Sequence, residues 1–146
     1  MRMTCAAFEN GKPIPSELTC DGPDLSPPLS FGDVPANAKS LALIMDDPDA
    51  PMGLWVHWLV WNIPPGTASI AKGQRIPWPQ GTTSWGRPGY GGPCPPSGTH
   101  RYFFKLYALD TALDLKPSAK KADLERAMKG HTLAEAQLMG TYSRAR

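Results

Sequence analysis

The chain has 146 residues, enough for one domain with a single sizeable core. Apolar residues make up 41% and charged ones 19%, which excludes a disordered chain. A net charge of +2, with no basic run interleaved with aromatics, argues against a nucleic-acid binder.

No apolar stretch approaches the roughly 20 residues that span a bilayer, so no stable membrane insertion is expected. The start, Met1-Arg2-Met3-Thr4-Cys5, lacks an apolar leader, and a cytoplasmic location is expected. Three cysteines, Cys5, Cys20 and Cys94, form an odd set without a secretion signal. They are expected as reduced thiols, with Cys94 a small buried residue, although a bridge between any two stays open. Neither a CxxC pair nor a zinc-type Cys/His spacing is present, and no metal or cofactor is expected.

Most of the 17 prolines and 14 glycines precede residue 100, which excludes long helices there. Weak strands are expected over Met3 to Phe8 and near Leu29 to Phe31. Stronger ones cover Lys39 to Met45, Trp55 to Ile63 and His100 to Leu109. These three are apolar on both faces, as interior strands are. Ser118 can cap a helix from Ala119 to Lys129, with Gly130 as its stop. Thr132 and Glu135 read as a capping box opening a second helix, with Leu133, Ala136, Leu138 and Met139 apolar. The sum is a mostly β, antiparallel sandwich in one domain, 1–146, with short helices near the C-terminus.

Two segments concentrate polar chemistry beside rigid loops: Asp46-Asp47-Pro48-Asp49-Ala50-Pro51 leading to Trp55-Val56-His57-Trp58, and Gly89-Tyr90-Gly91-Gly92-Pro93-Cys94 leading to His100-Arg101-Tyr102. Period two puts Asp47 in phase with Leu41, Leu43 and Met45, His57 with Trp55, Leu59 and Trp61, and His100 with Tyr102, Phe104 and Leu106. An imidazole on an apolar face needs a partner. Asp47, His57 and His100 are therefore expected to converge at one sheet end.

Two imidazoles suit a small anion such as a phosphate. Gly91 and Gly92 could bring backbone amides close to it. Trp55 and Tyr102 would wall the pocket, with Tyr90 a candidate for its mouth. Asp46 is read as structural or solvated, Asp49 as a turn former and His131 as packing or solvated. Trp78 and Trp85 could form a homodimer interface or fold back over the core. A hydrolase with Asp47 orienting a histidine base is the alternative, as is a scaffold with a vestigial pocket. No Gly-x-Ser-x-Gly elbow supports a hydrolase, and Ser97 is the sole nearby hydroxyl candidate.

These boxes resemble the phosphatidylethanolamine-binding, or Raf kinase inhibitor-like, protein family in its prokaryotic branch. The resemblance is carried by Asp47-Pro48-Asp49-Ala50-Pro51, Trp55-x-His57 and Gly92-Pro93-x6-His100-Arg101-Tyr102. Thr19-Cys20-Asp21-Gly22, Ser26-Pro27-Pro28-Leu29 and Gly130-His131 add to it. It implies a large central antiparallel sheet packed on a smaller one, with peripheral helices. It also implies a non-enzymatic pocket for phosphate, acetate or a phosphoethanolamine headgroup, lined by Asp47, Ala50, Trp55, His57, Gly92, Pro93, His100 and Tyr102. A regulated partner enzyme, a kinase or protease, would follow from the same likeness. Animal members carry a second histidine where Val56 stands and a second proline where Cys94 stands. The likeness therefore carries the anion pocket rather than kinase inhibition or lipid selectivity.

Overall fold

A computed structural model describes residues 1–144. Two antiparallel sheets form the body. The smaller has the order β1-β2-β5, from β1 (Arg2–Cys5), β2 (Leu29–Gly32) and β5 (Ser69–Ile70). The larger has the order β4-β3-β6-β7, from β3 (Ser40–Asp47), β4 (Trp55–Ile63), β6 (His100–Leu109) and β7 (Thr132–Tyr142). The strands expected over Trp55 to Ile63 and His100 to Leu109 form with those bounds. That over Met3 to Phe8 is shorter and starts at Arg2.

The continuous apolar character of β3 has a direct cause, since all eight of its residues are buried. Leu41, Leu43 and Met45 face the core between the sheets, with Trp58, Val60, Phe104 and Leu106, against Met3, Leu29, Phe31 and Ile70. Ala42 and Ile44 face the other way, joining Leu59, Trp61 and Leu109 beneath the helix. Burying each large apolar side chain contributes roughly 1.5–3 kcal/mol, so a strand buried on both faces is strongly held in register.

One expected element is overturned. The segment from Thr132 is an eleven-residue strand, β7, not a helix. It pairs antiparallel with β6 from His100↔Tyr142 to Leu109↔Thr132. Its inward residues are Ala134, Ala136, Leu138 and Tyr142, a period-two set hidden by helix-favouring alanines. Gly140 fits the same face because a Cβ there would press on Ile14 and Phe8. The other helix, α1 (Lys121–Met128), forms, but Ser118 does not cap it. Its N-terminus is closed instead by Asp123, whose carboxylate accepts the Lys120 N–H at 2.9 Å. Leu124 and Met128 seal the outer face of the large sheet.

Candidate functional site

At one end of the large sheet, Asp47, Ala50, Pro51, Met52, Trp55 and His57 line a cavity of about 270 Å³. Trp85, Cys94, Pro95, Pro96, His100 and Tyr102 complete it. Asp47 ends β3 and His100 opens β6, a neighbouring strand in the same sheet, so their side chains meet. His100 Nδ1 donates to Asp47 Oδ2 at 2.7 Å, and both groups are buried. Asp47 Oδ1 accepts the Asp49 N–H at 2.7 Å, which folds the Asp-Pro-Asp-Ala-Pro loop back over the strand end.

His57 arrives by a different route. Leu59 and Trp61, with which strict alternation groups it, lie on the helix-covered face. A register shift between Met45 and Asp46 changes the phase: Met45 pairs with Trp58, yet Asp46 pairs with Val56. His57 is the extra residue of this bulge and turns to the pocket side. Bulges commonly re-aim a side chain in this way. Its ring lies edge-on to Tyr102 at 5.2 Å and to Trp85 at 4.9 Å between centroids. The three polar groups thus converge as expected, although alternation alone would have sent His57 to the wrong face.

The electrostatics of the two imidazoles differ. His57 Nδ1 donates to the Gly91 carbonyl at 2.6 Å, which fixes one ring proton there. Burial pushes its pKa down to about 4, against opposing pulls from the Gly91 carbonyl and the Asp47 charge. The ring is neutral at pH 7. Tyr102 has a buried hydroxyl without a hydrogen bond of good geometry. Its pKa is raised, first by burial and then by the nearby Asp47 charge, so it remains a phenol. Asp49 is held down to about 2 by Arg101, whose Nε and Nη2 reach its two oxygens at 2.9 Å each. Asp49 also accepts the Arg101 N–H at 2.9 Å. It is thus more than a turn former, since it pins the pocket loop to the start of β6.

Gly92 and Pro93 do not line the cavity; they are buried behind its wall. The Gly91 N–H donates to the His57 carbonyl, and the Gly92 N–H to Asp24 Oδ1 at 2.9 Å. Neither amide is left for a ligand. A Cβ on Gly92 would collide with Asp24 and the Leu18 carbonyl, so the close approach this glycine permits is to its own chain. Tyr90 donates to the Leu18 carbonyl at 2.7 Å and packs on Trp58, away from the mouth. His131 is exposed and pairs with Asp110. Asp46 is buried on the opposite face, 3.1 Å from Lys105 Nζ.

Cys94 is neither buried nor a thiol. It forms a disulfide with Cys20, 74 residues away, leaving Cys5 as the free cysteine. The bridge runs beside the Cys20 N–H bond to the Pro93 carbonyl, so the 90–94 wall is tied covalently to the 17–24 loop. Pro51 lines the rim, and Met52, Trp85, Pro95 and Pro96 are lining residues that the motif reading missed. Trp85 had a signal, as an aromatic in a Pro/Gly-rich loop. Its partner in that reading, Trp78, folds back onto the core.

A profile of the phosphatidylethanolamine-binding protein family matches residues 4–143. The chain belongs to this family. A UPF0098 protein of Methanothermobacter thermautotrophicus is 53% identical over 150 residues, covering 99% of each chain. One from Chlamydia muridarum is 49% identical over 147 residues, covering 97% of this chain and 98% of its own. Among solved structures, a phosphatidylethanolamine-binding protein homolog from Chlamydia trachomatis superposes with a TM-score of 0.97 at 47% identity, covering 99% of this chain and 97% of its own. E. coli YbcL, described as a member of the mammalian family, gives 0.89 at 28% identity, covering 99% and 98%. Fold and family stand together; what occupies the pocket is a separate question.

Proposed function

We propose that this family member is a binding protein whose pocket holds a small phosphoryl group, free or as part of a larger ligand. The observation that carries the reading is the meeting of the Asp47–His100 pair, neutral His57 and the Tyr102 hydroxyl in one cavity of about 270 Å³. That volume is below the range usual for drug-sized ligands and suits a compact polar group. Tyr102 adds a buried O–H beside Asp47 that makes no hydrogen bond of good geometry to the described residues. His100, held by Asp47, lines the cavity as a further polar group.

Two or three such bonds supply roughly 1.5–3 kcal/mol each, against an association cost of at least about 4 kcal/mol. A free anion should therefore bind near the millimolar scale. Tighter binding needs contacts beyond the cavity, as a partner protein would provide. Regulation of a partner enzyme such as a kinase or protease fits that need. The exposed rim, Met52, Leu54 and Trp85, is apolar and available for such a partner or for a second copy of the chain. Light scattering separates the two.

A non-enzymatic role is favoured because, among the described residues, the cavity lining includes no serine, threonine or free thiol beside the Asp47–His100 pair. Location bears on the disulfide. Such bridges persist in oxidising compartments and open in a reducing cytoplasm. Among the described residues no helix is long and apolar enough to cross a membrane.

The test is a phosphate titration followed through the imidazole resonances. Both His57 and His100 should move along one saturable curve while exposed His131 stays put. Saturating phosphate that moves neither pocket histidine would refute the reading.

A further inference from the structure

We propose that the pocket takes its phosphoryl group in an acid form, one that keeps a P–O–H to donate to His57 Nε2. It should reject tetrahedral anions of the same shape that carry no proton. The inference rests on the phosphoryl-binding reading and adds the ligand's protonation state to it.

The geometry supplies the acceptor. His57 Nδ1 carries a proton, because the Gly91 carbonyl at 2.6 Å can only accept. No carboxylate bonds this ring: Asp47 is engaged by His100 through Oδ2 and by the Asp49 N–H through Oδ1. The imidazole is 3% exposed and flanked edge-on by Trp85 and Tyr102, surroundings that oppose a second proton. The Gly92 carbonyl is the other backbone acceptor near the ring, no bond of good geometry joins Nε2 to the described residues, and His57 lines the cavity. It is a lone pair awaiting a donor. Burial acts in the same direction on the ring's acidity.

The charge balance agrees. Among the described residues, the cavity lining contains Asp47, His57 and His100 but no lysine or arginine. With His57 neutral, a protonated His100 at most cancels Asp47. Arg101, nearby, is spent on Asp49. A dianion would meet no net positive charge from these groups, and its oxygens would face two acceptors, Asp47 and Nε2. A ligand that retains a proton satisfies one of them and carries less charge. Sites built to pair a hydroxyl reject analogues that lack it, because a buried polar group is otherwise left unpaired.

Methyl phosphate and methyl sulfate separate the effects. At about pH 5.5, below the second ionisation of a phosphate monoester, both are monoanions of nearly the same shape. They differ by one O–H. Each is titrated into the full chain with ¹⁵N-labelled histidine, and affinity is read together with the Nε2 resonance of His57. Methyl phosphate should bind at least about tenfold more tightly, the size expected for one unsatisfied buried acceptor. The Nε2 signal should stay in the range of an unprotonated nitrogen that accepts a hydrogen bond. In folded His57→Gln, whose amide can turn a donor to the cavity, the preference should shrink.

A preference below tenfold in the wild-type chain, or an imidazolium signal from His57 in the complex, overturns the inference while phosphoryl binding stands. So does a preference that survives His57→Gln undiminished. If neither ester binds, the phosphoryl reading itself fails and takes this inference with it.

Discussion

Asp46 and Asp47 are adjacent, both buried, and point to opposite faces of the large sheet. Asp47 has a partner on each oxygen, His100 and the Asp49 amide, on the face that opens into the cavity. Asp46 has Lys105 on one oxygen and no partner on the other. The same residue type one position apart thus serves a built site in one case and a lone ion pair in the other. Burial alone does not separate the two; convergence of partners from β3, β4 and β6 does.

The largest expected effect concerns the covalent tie on the cavity side. The Cys20–Cys94 bridge closes a 74-residue separation. On the chain-entropy account its loss should cost about 4 kcal/mol. Cys94→Ser should lower the denaturation midpoint accordingly and loosen the cavity wall. Alkylation of protein taken directly from its cells, without reductant, would show whether the bridge exists there. Blocked Cys20 and Cys94 would argue against a reducing compartment.

Asp47→Ala should cost roughly 3–4 kcal/mol, because it leaves His100 without its buried partner and frees the Asp49 amide. It should also abolish the phosphate response of His57 and His100.

The third test is pH. His57 has a folded pKa lowered to about 4 from 6.5. Above pH 6.5 the ring is neutral in both states, and it contributes no pH dependence. As pH falls through 6.5 toward 4 the unfolded chain takes up the proton first, so stability falls by roughly 3 kcal/mol and then levels off. Denaturant midpoints across this window should show that slope in the wild-type chain. The slope should be shallower by that amount in His57→Gln.

Smaller effects should separate two glycines of the wall. At Gly92 a methyl group meets the Leu18 carbonyl, which is backbone, so Gly92→Ala should cost about 2 kcal/mol. At Gly91 it meets the Trp85 ring, a side chain 39% exposed that can swing away. Gly91→Ala should cost less in stability and show more in ligand binding. The smallest effect is on the other face. Asp46→Ala should change stability by about 1 kcal/mol or less, since it removes an unsatisfied oxygen and Lys105 can reach solvent. Phosphate binding should be unchanged.

Much of this was legible in the chain itself, for physical reasons that differ by element. β4 announces itself because aromatic and aliphatic residues fill both faces between Pro/Gly breaks. β6, expected to be apolar on both faces, instead alternates buried Tyr102, Phe104, Leu106 and Ala108 with the more exposed Arg101, Phe103, Lys105 and Tyr107. β7 was hidden because Ala134 and Ala136 favour helices and Thr132–Glu135 mimics a capping box; its strand state comes from pairing along the whole of β6, a long-range effect. The meeting of Asp47 and His100 follows from strand ends. That of His57 depends on a bulge, which has no side-chain signature. Gly91 and Gly92 read as a ligand cradle, yet their amides serve His57 and Asp24. The Cys20–Cys94 pairing could not be chosen from spacing, since no local motif links two cysteines so far apart.

The most direct test is a crystal structure of the protein grown or soaked with phosphate at neutral pH. The account predicts a tetrahedral anion in the cavity, within hydrogen-bond distance of His57 Nε2, His100 and the Tyr102 hydroxyl, with the Asp47–His100 pair intact. A cavity closed by its own side chains, or a phosphate bound only elsewhere on the surface, would contradict it.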